Sequence, residues 1–257
     1  MENKNIEKRI KELLTIKIQE KDMSFLRGFY EIPGVYKYSL YNSLLIMLQG
    51  GSIALGFERW KSLGRHVKRG EHARIEILVP IIKKEKDTES DEINDKCIGF
   101  LSRKVFDVTQ TDGKPLEYKN NSKDDNTFSY ETLRDKLADK FKITIKEDIT
   151  GNARGFFSRT AKEIYVSSMS NNVDKIKTLL HEVGHALLHG DDLLSADGLR
   201  RDCKEVEAEL TSVLVCESIG VKCESSELYI SNWNVNNPDV RIMSVISAVN
   251  KILKSIV

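Results

Sequence analysis

Thr178-Leu-Leu-His-Glu-Val-Gly-His-Ala-Leu-Leu-His-Gly190 is the stretch from which the rest of this chain is read. Leu179, Leu180, Val183, Ala186 and Leu187 recur at helical spacing, so the stretch predicts a helix with one buried face, with Gly190 as its stop. Within it lies His181-Glu182-Val183-Gly184-His185, an H-E-x-x-H motif. Positions i and i+4 of a helix share a face, with Cβ atoms roughly 5–6 Å apart. Two imidazoles so placed reach one metal ion, and the glutamate beside the first can hold a water and take its proton. Zn²⁺ lowers the pKa of such a water to about 7. His181 and His185 are therefore expected as metal ligands, Glu182 as general base and Zn²⁺ as cofactor. The plainer alternative is a buried helix with two incidental histidines. With 5 histidines in 257 residues, chance gives the motif in fewer than about one chain in a hundred. The motif points to a zinc hydrolase.

A catalytic zinc needs a third protein ligand and an open position. His189 lies two turns along the helix from His181, about 12 Å of rise away. Asp191 stands where some zinc proteases place a third ligand, but Leu188 replaces the glycine that lets their chain turn back. Glu205, in Cys203-Lys-Glu-Val-Glu-Ala-Glu-Leu210, is better placed. It shares a helical face with Glu209, so one carboxylate can bind metal while the other orients a ligand imidazole. A continuous helix would leave Glu205 about 30 Å from His185. The chain must therefore break and return, at Gly190-Asp-Asp192 and Ala196-Asp-Gly198. A solvated acidic face over Glu205, Glu207 and Glu209 is the competing reading.

The chain carries 40 basic and 39 acidic residues, so its overall charge selects no partner. No apolar run approaches a membrane span, and Met1-Glu-Asn-Lys-Asn5 is unlike a signal peptide, so a cytoplasmic protein without membrane contact is expected. Cys97, Cys203, Cys216 and Cys223 form no C-x-x-C pair and read as reduced thiols.

Residues 2–20 and Ser39–Gln49 have helical patterns, the second with Asn42 and Gln49 as polar exceptions. Between Arg59 and Arg74 lie six basic residues, Arg59, Lys61, Arg65, Lys68, Arg69 and Arg74, against the single acid Glu71, with Trp60 and His66 among them. Single-stranded nucleic acid needs such a mixture, charge for the backbone and flat rings for bases. On composition alone a basic turn with Trp60 in the core is the favoured reading. Ala73–Ile82 and Cys97–Thr109 read as strands joined by a charged loop from Lys83 to Asp95. Polar sequence from Thr111 to Thr127 reads as a linker. Beyond it come a helix near Tyr130–Phe141, strands at Lys142–Lys146 and Glu163–Ser167, and helical patterns at Glu224–Asn232 and Asp239–Ile256. A strand edge beside the metal is where a protease substrate would add as a further strand. Tyr165, His189 and Tyr229 are the expected sources of oxyanion stabilisation.

Taken together, these residues resemble the ArdC-type antirestriction proteins of plasmids and conjugative elements. The resemblance is carried by Tyr38-Ser-Leu-Tyr-Asn-Ser-Leu-Leu-Ile46, by Gly56-Phe57, Trp60, Gly64-Arg65 and Val67-Lys-Arg-Gly-Glu71, and by Val105-Phe-Asp-Val-Thr-Gln-Thr-Asp-Gly113. In the second half it rests on His181-Glu-Val-Gly-His185 and Glu205-Val-Glu-Ala-Glu209. The C-terminal half is also similar to the ImmA/IrrE-type peptidases. The resemblance implies an α+β protein in two domains. Residues 1–120 would form a mixed α/β single-stranded-DNA-binding domain. Residues 121–257 would form a zincin-like, mostly helical metallopeptidase domain with a small sheet. It further implies His181, His185 and Glu205 as zinc ligands, Glu182 as general base, and the Arg59–Arg74 segment as part of a DNA-binding domain. The expected activity is that of a DNA-associated zinc metallopeptidase of a mobile element, acting in antirestriction on a protein substrate the sequence does not identify. Two other functions stay open: a non-proteolytic shield over incoming single strands, and an ImmA-like protease that cleaves a repressor.

Overall fold

The computed structural model describes residues 2–20, 38–86, 93–116, 129–149, 151, 153–190, 200–221 and 240–256. The first half contains α1 (Glu2–Gln19), α2 (Leu40–Leu48), β1 (Ala54–Leu55), α3 (Phe57–Ser62), β2 (Arg65–Val67), β3 (Ile75–Lys86), β4 (Ile93–Asp107) and β5 (Thr111–Gly113). The second contains α4 (Tyr130–Phe141), β6 (Thr144–Asp148), β7 (Gly155–Ser158), β8 (Glu163–Ser167), α5 (Asn172–His189), α6 (Arg201–Ser218) and α7 (Ile242–Ile256). The fold is α+β, with helices packed beside small sheets. It divides into two compact units, residues 34–117 and residues 1–33 together with 118–257. Helix α1, which the sequence reading places in the N-terminal domain, therefore belongs with the C-terminal half. Its Ile10 and Leu14 are fully buried, and it packs on α7.

In the unit of residues 34–117, β3 and β4 pair antiparallel from Ile75–Val105 to Lys86–Ile93, and β1 adds on the other side of β4. Ile75, Ile77 and Val105 on one face meet Ile46 of α2 and Ala54 in a small core. The strands run further into the charged segment than alternation predicts, because the distal hairpin has no buried face to impose a pattern. There Val79, Ile81, Phe100 and Leu101 are all exposed. The two polar exceptions of α2 have a definite task. The Asn42 side chain donates to Leu78 O at 2.8 Å and accepts from Leu78 N at 2.9 Å. Gln49 treats Glu76 in the same way, at 2.9 and 2.8 Å. Two carboxamides thus pair with the open edge of β3 as a neighbouring strand would. The start of the expected linker is structured as well. Thr111–Gly113 is β5 and pairs antiparallel with β2.

In the other unit β8 is the central strand, parallel to β6 and antiparallel to β7. Ile164 and Val166 of β8 are fully buried, and α5 packs against β7 and β8. Asn171 caps α5 by accepting from Asp174 N. Gly190 ends that helix with right-handed φ −63° and ψ −37° rather than in the left-handed conformation expected of a stop. Helices α5 and α6 are separate and packed together, as the break between them requires. The amphipathic α7 buries Val245, Ile246, Val249 and Ile252 and packs on α4, α5 and α6. The helix expected over Glu224–Asn232 lies outside the described residues. Among the described residues no helix is long and apolar enough to cross a membrane.

Candidate metal centre

Helices α5 and α6 pass close to each other at Gly184 and Ala208. A Cβ on Gly184 would lie 3.2 Å from Ala208 Cα and 3.3 Å from its carbonyl oxygen. This crossing brings Glu205 and Glu209 of α6 over the motif face of α5. The Nε2 atoms of His181 and His185 lie 3.1 Å apart. Glu205 Oε2 lies 3.5 Å from the first and 3.4 Å from the second. A tetrahedral zinc with bonds of about 2.0–2.1 Å holds its donor atoms about 3.3 Å apart, so the three side chains fit one such ion. Two ring nitrogens this close cannot both present lone pairs to each other, so the space between them calls for a proton or a cation. Both rings are partly exposed and Glu205 is half-exposed, so water could reach an ion held between them.

Each histidine is held from behind. His181 Nδ1 lies 3.0 Å from Glu209 Oε2, and Glu209 is paired in turn with Lys177 at 3.3 Å. His185 Nδ1 lies 3.2 Å from Nδ1 of His189, whose Nε2 lies 3.0 Å from Glu207 Oε2. His189 is buried behind His185, which excludes it both as a ligand and as an oxyanion donor. Of the other oxyanion candidates, Tyr165 donates to Glu163 at 2.6 Å from the sheet face opposite Ile164 and Val166. Tyr229 lies outside the described residues. Glu207, which the competing reading places on a solvated acidic face with Glu205 and Glu209, is fully buried. The signal was present in the spacing: His181, His185 and His189 form an i, i+4, i+8 ladder, so a third imidazole had to stack beside the second.

Burial by itself lowers the basicity of His181, but hydrogen bonds to Glu205 and Glu209 and the charge of Glu182 outweigh it, and its pKa is pushed up to about 9. The same contacts with His181 and His185 hold Glu205 well below the usual carboxylate range. Glu182 is buried, which raises its pKa against the opposing influence of the two imidazoles, and it accepts a hydrogen bond from the Phe157 N–H. Phe157 lies on β7. The Ser167 N–H bonds to Arg154 O at 2.8 Å, so by antiparallel alternation the Phe157 N–H points away from β8, along the free edge of the sheet. The edge strand beside Glu182 is thus β7, whereas the Glu163–Ser167 strand that the sequence made visible is the central one.

The basic segment separates into two groups. Trp60 is 0% exposed, with its indole N–H on Phe106 O at 2.9 Å, so its ring offers no face to a base. Arg65 is spent on Thr111 and Lys114, with bonds of 2.9, 2.9 and 2.6 Å, and lies 5.8 Å from the Trp60 ring centre. Lys68 donates to Thr109 O at 2.9 Å. Arg65 thus braces β5, Lys68 the turn that precedes it, and Trp60 the end of β4. Arg59, Lys61, Arg69 and Arg74 are exposed. Within the segment the imidazoles of His66 and His72 are exposed, and just before it Phe57, 52% exposed, packs edge-on to Phe106.

No family model matches the chain. An uncharacterized pXO2 protein of Bacillus anthracis is 23% identical over 231 residues, covering 72% of this chain, which spans only 38% of that protein's length. The crystal structure of the antirestriction protein ArdC from plasmid R388 in its metal-free form is similar over 96% of this chain and 93% of that one, with a TM-score of 0.54 and 17% identity. Its Mn(II)-bound form gives a TM-score of 0.53 at 17% identity, over 96% of both chains. The chain has the fold of the ArdC antirestriction protein.

Proposed function

We propose that the chain is a DNA-associated, zinc-dependent metallopeptidase of a mobile element, acting in antirestriction. The observation that carries this reading is the convergence of His181 Nε2, His185 Nε2 and Glu205 Oε2 to within 3.1–3.5 Å, with the buried Glu182 beside them. The three groups would hold a divalent ion, and the neutral nitrogen and carboxylate donors suit Zn²⁺. When bound, the ion supplies Lewis acidity that polarises a peptide carbonyl and acidifies water. Glu182 takes the proton of the attacking water and delivers it to the leaving amine nitrogen, so it ends the cycle as the carboxylate it began. The outward backbone of β7 lies beside this base, where an extended peptide would be accepted as a further strand. Likeness to an antirestriction protein, together with the exposed cations Arg59, Lys61, Arg69 and Arg74, supports single-stranded DNA as the second partner.

The test joins metal content to hydrolysis. Purified protein is expected to hold close to one zinc per chain, lost in Glu205→Ala and retained, at weaker affinity, in Glu209→Ala. Glu182→Gln is expected to keep the zinc and lower peptide hydrolysis by about 10²–10⁴-fold. A protein that protects DNA equally well with and without this change would be a shield, with its metal structural, and the peptidase reading would fall.

A further inference from the structure

We propose that His189, Glu207 and Arg241 form a positioning relay that fixes the tautomer and ring orientation of His185 and ties the C-terminal helix to the metal centre. The proposal rests on the reading of His181, His185 and Glu205 as ligands.

The polarity of the relay follows from its atoms. A neutral His185 that turns an Nε2 lone pair toward the other two ligands carries its hydrogen on Nδ1. The neighbour of that atom, at 3.2 Å, is Nδ1 of His189, which must then accept. A neutral His189 therefore carries its own hydrogen on Nε2 and donates it to Glu207 Oε2 at 3.0 Å. Glu207 is fully buried, and burial opposes its charge, yet it is held below its ordinary pKa by His189 and Arg241. Arg241 supplies its backbone N–H at 2.6 Å and Nε at 3.2 Å to Oε1, and Nη2 at 3.0 Å to Oε2. The hydrogens of both imidazoles thus point from His185 toward the carboxylate, and Arg241 donates to it from the far end.

Two features set this arrangement apart from ordinary core packing. First, His181 reaches its carboxylate directly, whereas His185 reaches one through an interposed imidazole, so the ligands are oriented from two independent directions. Second, the side chains of His189 and Glu207 are both 0% exposed. Water cannot replace a lost partner there, and a break in the series leaves His185 free to turn or to take the other tautomer. Partners behind a ligand imidazole typically account for 10–100-fold in metal affinity. Arg241 immediately precedes α7, so the same relay makes the seating of that helix part of the metal site.

The full-length protein and three variants test this. His189→Phe keeps a ring and removes both bonds. His189→Gln keeps an acceptor for His185 and a donor for Glu207. Glu207→Gln removes the anchoring charge. Zn²⁺ affinity is measured by chelator competition, the visible spectrum by Co²⁺ substitution, and melting on the metal-free protein. His189→Phe is expected to weaken Zn²⁺ binding by about 10–100-fold and to alter the Co²⁺ bands, and His189→Gln to recover most of both. A merely structural histidine would lower the melting temperature and leave the Co²⁺ spectrum unchanged. Wild-type affinity and spectrum in His189→Phe would overturn the relay alone, whereas absence of metal binding by the unmutated protein would overturn the ligand reading and the relay with it. Should His189→Phe not fold, unchanged affinity in Glu207→Gln overturns the proposal in its place.

Discussion

In the metal-free protein His181 and Glu205 satisfy each other. The imidazole is pushed from 6.5 up to about 9, against the effect of burial, by Glu205 and Glu209, while Glu205 is held low by the two imidazoles. A base whose pKa rises on folding contributes stability that is complete below its unfolded value and is lost as the pH climbs through its folded value. Metal-free protein is therefore expected to lose stability between pH 6.5 and about 9, as followed by the denaturant midpoint at several pH values. Metal affinity should move in the opposite sense, because the ion must displace that proton. Between pH 9 and pH 7 this one group is expected to weaken zinc binding by roughly 50-fold. A midpoint that does not change across this window would mean that His181 carries no proton in the metal-free state. Protein with zinc already bound has no such proton to lose, so its midpoint should not follow this slope.

At the scale of elements, the site depends on how closely two helices cross. Gly184 occupies a variable position of the H-E-x-x-H motif, where sequence alone gives no reason for glycine. The reason is Ala208, whose backbone leaves a Cβ only tight contacts of 3.2 and 3.3 Å, and which stands between Glu205 and Glu209. Gly184→Ala improves helix propensity by about 1 kcal/mol, yet it must move α6 outward by a few tenths of an ångström. The expected result is a net loss of stability of about 1–3 kcal/mol and weaker zinc binding, read by calorimetry and chelator competition. A more stable variant with unchanged affinity would show the crossing to be compliant. The same reasoning marks what sequence made legible. Helices α1, α2, α4, α5, α6 and α7 announce themselves through a repeating buried stripe, and the cluster of His181, His185 and Glu205 through motif spacing. Strand β7 was not legible, because Gly155–Ser158 has four residues, too few for alternation to register. Gly155 is there for a tertiary reason: a Cβ would lie 2.5 Å from Thr178 Cγ2 and 2.6 Å from Tyr165 O. Asn42 and Gln49 looked like defects in an apolar stripe, since their partners, the backbone of Leu78 and Glu76, lie far along the chain. Trp60 was the residue most readily misassigned. Aromatic residues among cations suit both a core and a DNA surface, and only burial separates the two.

For the molecule as a whole, the two kinds of chemistry fall in different compact units. His181, His185 and Glu205 lie within residues 118–257, and the cations of the basic segment within residues 34–117. The 22 basic and 18 acidic residues of positions 1–120 make a modest surplus, too small to define a binding surface without knowing which cations are already engaged. The structure removes Arg65 from that set, places Arg74 3.7 Å from the Glu71 carboxylate, and leaves Arg59, Lys61 and Arg69 exposed. Each phosphate contact on a single strand contributes about 0.7 to the slope of log affinity against log salt. Changing these three residues together to glutamine is expected to lower the slope by about 2, and to weaken binding most at low salt. Zinc content and peptide hydrolysis should be unaffected, since none of the three lies in the unit that holds the metal site. Arg65→Gln, by contrast, strips the β2–β5 ribbon of its bonds to Thr111 and Lys114, and should lower the melting temperature as well as binding. A triple variant that binds single-stranded DNA with an unchanged salt slope would return these cations to ordinary solvated surface. DNA contact would then have to be sought among the exposed apolar and basic residues of the distal β3–β4 hairpin. Loss of zinc in the same variant would show instead that the two units depend on each other for their integrity.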